Sequence, residues 1–163
     1  IPWALSQFKA LRSSTTKLIA NDAMSYSILI EENIDQDSTY NGLRLFANAE
    51  KEIEYNNLSL SKQYLDSINT SYLYHPLFDE VLILRAKISI LEKKFEQAKE
   101  YLKESLKKYP YELTADDALY ILSDIYLNQT KEISLAKETL EKIIIDYPNS
   151  IYVIEARKLL NEL

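Results

Sequence analysis

The chain has 163 residues, of which 47% are hydrophobic and 27% charged, with one glycine and four prolines; this suits one cooperative core and leaves little material for hairpins. A net charge of −6 disfavours nucleic acid and anionic lipid as non-specific partners, and the lack of cysteine excludes disulfides, thiolate metal sites and a cysteine nucleophile. No apolar run approaches the roughly 18 residues needed to span a bilayer, so no direct membrane insertion by these residues is expected and any membrane link lies outside them.

The sequence starts at Ile1 instead of methionine, which leads one to expect a processed product or a piece of something longer. Pro2 suits a first helical turn. Leu5, Phe8, Leu11, Leu18 and Ile19 keep a helical period through a polar interval at residues 13–16, and from Asp22 the face continues with Ala23, Tyr26, Leu29 and Ile30. Two helices are favoured over one kinked helix, together forming an N-terminal helical segment at residues 1–37. Trp3 is expected to pack on the neighbouring helix.

From residue 38 the chain repeats itself. The small residues Ala86 and Ser123 lie 37 apart and Ala98 and Ala136 lie 38 apart, while Tyr109-Pro110 and Tyr147-Pro148 close the two units. The extra residue is expected in the turn at residues 128–133, where an insertion costs little. One period earlier stand Ala49 and Ser61, so a third, weaker unit precedes the other two. Small residues at fixed intervals allow two antiparallel helices to cross closely. In the clearest second helix, Phe95, Ala98, Leu102 and Leu106 form an apolar stripe, and Glu96, Glu100, Lys103, Glu104 and Lys107 face away. Asp79, Glu80, Asp116 and Asp117 place negative charge at helix starts, where the dipole is positive. Ser150 is expected to cap a last helix whose apolar residues are Ile151, Ile154, Leu159 and Leu160. The expected organisation is three helix pairs over residues 38–148 (38–76, 77–110 and 114–148), then a capping helix at 149–163.

Nothing in the chain assembles catalytic chemistry. His75 is the sole histidine and precedes Pro76 in a connection, so no histidine relay or multi-histidine metal site can form; it reads as a turn residue. The paired acids are adjacent in sequence, which sends their side chains about 100° apart on a helix. There is no glycine-rich phosphate loop in a chain whose only glycine is Gly42. No catalytic residue, metal or cofactor is expected. Most of the thirteen tyrosines, including Tyr55, Tyr64, Tyr101, Tyr109, Tyr126 and Tyr147, read as packing residues near helix ends, with Tyr120 the exception pointing to a partner.

The small residue in each first helix, Phe95 with Ala98 and Leu102 after it, and the closing Tyr109-Pro110 resemble the tetratricopeptide repeat (TPR) over roughly residues 42–148. Residues 136–163 look like repeats of bacterial cell-envelope TPR proteins, among them outer-membrane assembly lipoproteins and large Bacteroidetes envelope proteins. The resemblance implies an all-α fold, an α/α superhelix of about eight or nine antiparallel helices forming a TPR-like solenoid. It implies a protein-interaction scaffold that binds a peptide or helix in a concave groove lined by the first helix of each unit. Carried over by position, the groove residues are Phe46, Glu50, Ile53, Ile83, Lys87, Ile90, Tyr120, Asp124 and Leu127. The groove would be apolar with acidic spots, suiting a partner with apolar anchors and one or two basic residues. The partner is then a protein or peptide, and the bacterial cell envelope, on the periplasmic side, is favoured over the cytoplasm. An alternative is a regulatory or substrate-recruiting domain of an enzyme whose catalytic region lies elsewhere.

Overall fold

A computed structural model describes residues 1–13, 16–34, 39–72 and 74–163, the side chains of residues 17, 18 and 22 excepted. The placing of Leu18 and Asp22 on a helical face, half of the polar interval and the boundary at residues 37–38 lie outside the described residues. Every regular element among the described residues is helical, and helices adjacent in sequence pack as antiparallel pairs, so the fold is all-α and of TPR type. The chain divides into two compact units, Ile1–Phe78 and Asp79–Leu163.

The first unit holds α1 (Pro2–Leu11), α2 (Lys17–Glu32), α3 (Asn41–Glu54) and α4 (Leu58–Ser71). α1 and α2 pair with each other, the Phe8 and Tyr26 rings stacking at 5.2 Å and Lys9 pairing with Glu31. Trp3 corrects the sequence expectation: it is 76% exposed, and Phe8, five residues on, makes the aromatic contact with α2. α3 and α4 pack along Leu43, Phe46 and Ala49 on one side and Ser61, Leu65 and Ile68 on the other. Their approach is close enough for the Ser61 hydroxyl to donate to the Ala49 carbonyl at 2.8 Å. These are the two positions that the period marks as small in this unit, and a larger side chain at either would hold the backbones apart.

His75 is also more than a turn residue. It is buried, its Nδ1 accepts the Leu77 amide at 3.1 Å and its ring lies edge-on to Tyr72.

The second unit takes in α5 (Phe78–Leu91), whose first residue marks the division, then α6 (Phe95–Lys108), α7 (Ala115–Asp124), α8 (Ile133–Asp146) and α9 (Val153–Glu162). Its core gathers Ile83 and Ala86 from α5, Ala98 and Leu102 from α6, Leu119 and Leu122 from α7, Leu140 and Ile143 from α8, and Ala156 from α9. Ala86, Ala98, Ser123 and Ala136, the residues that define the period, are all buried. The α6 stripe is as expected, with Ala98 and Leu102 buried and Phe95 and Leu106 half-buried.

The one-residue insertion is placed differently from the sequence expectation. α7 widens at its end into a π-helical turn, Ile125–Gln129, in which the Thr130 amide reaches back to the Ile125 carbonyl at 3.0 Å. A π turn lets a helix absorb one extra residue while the register beyond it is kept. The left-handed residues that end the first helix of each unit show the result: Asn56, Lys93 and Lys131 all have φ of 59°. Lys131 therefore recovers the conformation of Lys93 one period plus one residue later.

α9 begins later than expected. Its N-cap is Tyr152, whose amide donates to the Ser150 hydroxyl, and its inward residues are Val153, Ala156, Leu159 and Leu160. Ile151 and Ile154 point outward, 70% and 82% exposed.

Candidate partner-binding face

The positions expected to face a partner lie on the first helices of the pairs, α3 in the first unit and α5 and α7 with its π turn in the second. On α3, Phe46 is buried and Glu50 and Ile53 are half-buried. In the second unit, Ile83 and Leu127 lie in the core, and Ile90 and Tyr120 are half-buried against it. Lys87 and Asp124 are exposed, the Asp124 carboxylate accepting the Asn128 side-chain amide at 2.6 Å. Helical geometry accounts for this layering. A first helix turns one stripe to its own partner helix, so residues three or four apart pass from core to surface.

Two residues that the sequence pattern does not single out organise the second unit. The first is Tyr152, at the start of α9, which stacks on Tyr120 with centroids 4.2 Å apart and planes 11° from parallel. Its hydroxyl donates to the Asp117 carboxylate at 2.5 Å. Burial, and then the bond to Asp117, push the Tyr152 phenol well above its ordinary pKa. Burial likewise raises the Asp117 carboxyl, against the Tyr152 bond and the positive charge of Lys87. Tyr120 is thus held flat by a neighbour 32 positions further on and remains half-buried.

The bond from Tyr152 to Asp117 has a counterpart one repeat earlier. Thr114, the N-cap of α7, donates to the Asp79 carboxylate of α5 at 2.7 Å, again across 35 residues. Each cap residue therefore reaches back to a first-turn acid two helices before it. The sequence shows the acids, and their place at helix starts is as expected; their use as ties between successive first helices depends on which residue precedes the next helix. A third tie runs from the Tyr147 hydroxyl to the Pro110 carbonyl at 2.7 Å.

Lys99, on the second helix α6, is the other residue. It is buried and bonded at 2.8 Å to both Glu132 and Glu96, with its ammonium over the Tyr126 ring. Burial opposes its charge, yet the two glutamates prevail and leave its pKa above the ordinary lysine value. A sequence signal exists: Lys99 lies four residues after Phe95 and three before Leu102, on the edge of the apolar stripe.

These carboxylates and phenols are engaged in joining helices, and among the described residues no group of three or more histidine or acidic side chains converges as a metal site. No helix in the described residues is long and apolar enough to cross a membrane.

Neither the curated proteins nor the solved structures contain a match to this chain. A family described as YfiO, outer membrane lipoprotein, matches residues 39–163, from just before α3 through α9. That match covers all the helix pairs carrying the 37-residue period and leaves the α1 and α2 pair before it. The family is one of TPR-type helical scaffolds in the bacterial envelope, in keeping with protein partners and an envelope location. By the extent of the match, the chain belongs to the YfiO family of outer membrane lipoproteins.

Proposed function

We propose that this protein is a scaffold on the periplasmic side of the bacterial envelope that binds a peptide or helix of a partner protein along its first-helix face, without a reaction of its own. The observation that carries the reading is the second unit's layering, in which exposed Lys87 and Asp124 flank half-buried Ile90 and the pre-stacked Tyr120. An aromatic ring held in place loses little conformational freedom on binding, and exposed charges beside it set the register of a partner segment. The corresponding positions of α3 are Phe46, Glu50 and Ile53. In the second unit the buried groove residues Ile83 and Leu127 support this face from beneath, and on α3 of the first unit Phe46 is the buried one.

Charge reversal tests the proposal. Glu50→Lys and Asp124→Lys, made separately and together, are expected to reduce recovery of partner proteins in pull-downs from envelope fractions by about thirtyfold for the pair, each reversal being worth roughly 1 kcal/mol at a rim position. Unchanged recovery with an unchanged melting temperature rules out the face.

A further inference from the structure

The second unit has another surface, at the edge where its second helices lead into its first helices. Tyr111 is 97% exposed and Leu113 61% exposed in the α6–α7 connection, and Ile151 and Ile154 stand equally open at the start of α9. Leu113 and Ile151 occupy the same place in successive repeats, each immediately before an N-cap, Thr114 and Tyr152. A residue there ordinarily folds down onto the side chain four beyond the cap. In both repeats that side chain is an alanine, Ala118 or Ala156, itself fully buried, so neither Leu113 nor Ile151 finds cover.

The edge is fixed as well as apolar. The Tyr147 hydroxyl ties the α8–α9 connection to Pro110, and Thr114 and Tyr152 are bonded to Asp79 and Asp117. Segments 109–117 and 146–155 contain five acids, Glu112, Asp116, Asp117, Asp146 and Glu155, and no lysine or arginine. Asp117 is taken by Tyr152 and Glu155 has Lys158 at 3.4 Å, while Asp146 and Asp116 both bear on the Tyr147 phenol, which burial and then these charges raise.

We propose that this edge is a second docking surface, distinct from the first-helix face, for a partner segment that carries two apolar anchors with lysine or arginine beside them. The apolar pair one repeat apart selects the anchors, and the five acids around it, which outnumber Lys108 beside Tyr109 and Lys87 near Asp117, select the sign of the partner's charge. An acidic partner would be repelled by Glu112, Asp116 and Asp146, and a second copy of the same edge would bring like charges together.

The test uses the isotope-labelled full chain and two synthetic peptides of equal length, one alternating leucine with lysine and the other leucine with glutamate. The lysine peptide is expected to shift the amides of residues 110–117 and 148–154, and the glutamate peptide to bind at least about tenfold more weakly. Leu113→Ser with Ile151→Ser should weaken the lysine peptide about tenfold, as expected for two anchors worth somewhat under 1 kcal/mol each. Both positions are exposed, so an unchanged melting temperature is expected alongside. Asp124→Lys should leave this binding intact, which separates failure of the edge from failure of the first-helix face. Equal binding of the two peptides, shifts confined to other residues, or concentration-dependent self-association through this edge overturns the proposal.

Discussion

At the scale of single residues, the backbone positions that close the first helices carry a cost that substitution can remove. Lys93 adopts φ of 59°, where a side chain with a Cβ is disfavoured by roughly 1 kcal/mol relative to glycine. Lys93→Gly is therefore expected to raise the urea midpoint, with a gain of about 1 kcal/mol; a lower midpoint would show that the lysine side chain contributes contacts that outweigh the strain. Acid titration separates two carboxylates. Hydrogen bonds from Lys99 and Thr130 hold Glu132 below its ordinary value of 4.5, so its contribution is full above that value and is lost as pH falls through and below it. Asp117 moves the other way: burial raises it above 3.8, so its protonation favours the folded state as pH falls. Glu132→Gln should lower the melting temperature at neutral pH and converge with the parent in acid. Asp117→Asn should keep the acceptor for Tyr152 and melt no lower than the parent at neutral pH. Melting curves at neutral and acid pH check both signs, and a Glu132→Gln deficit that grew in acid would refute the assignment. None of these residues could be ranked from sequence, because a pKa depends on neighbours 30 or more positions away.

At the scale of helices, the period was legible because steric exclusion is local and repeated. Ala86, Ala98, Ser123 and Ala136 could be found by spacing alone, and each is buried where helices cross. The edges of the elements were less legible. The stop at Tyr109-Pro110 is written in the sequence, whereas the start of α9 at Val153 depends on Tyr152 reaching Asp117, a contact that no local pattern encodes. Likewise the insertion could be counted but not located, since a π turn and a longer loop have the same length. Its placement predicts a contrast. Deleting Asn128 should return α7 to an unbroken α-helix with cooperative unfolding preserved, because the residue removed is exposed and the register beyond it is already that of Lys93. Ala98→Leu adds only side-chain carbons, yet it should destabilise by about 1–3 kcal/mol or more by forcing α6 away from its neighbours. Circular dichroism with urea titration reads both; loss of cooperativity on deleting Asn128 would show that the π turn is needed for the core around Ile125 and Tyr126.

For the whole molecule, stability in a helical repeat is approximately the sum of what each repeat and each neighbouring interface contributes. The second unit's buried cluster, from Ile83 to Ala156, draws only on α5 to α9 and the π turn, and its ties from Thr114, Tyr147, Tyr152 and Lys99 all end within residues 79–163. The first unit's α1 contributes no buried residue, and its largest side chain, Trp3, is open to solvent. A chain of residues 77–163 is therefore expected to fold alone, with one cooperative urea transition and a slope near 1 kcal/mol per molar, as suits a domain of that size. A chain of residues 1–76 should unfold at lower urea and with less cooperativity, because four helices share a core drawn mainly from α3 and α4. If residues 77–163 gave no transition, the core of the second unit would have to depend on helices before it, and the division at Phe78 would not mark a unit of folding. If both pieces folded equally well, the exposed α1 surface would be compensated by contacts within the first unit stronger than the Phe8–Tyr26 stack and the Lys9–Glu31 pair. Trp3, as the only tryptophan, reports on that outcome directly: its fluorescence should change little on unfolding of either the full chain or residues 1–76, since it is already in water.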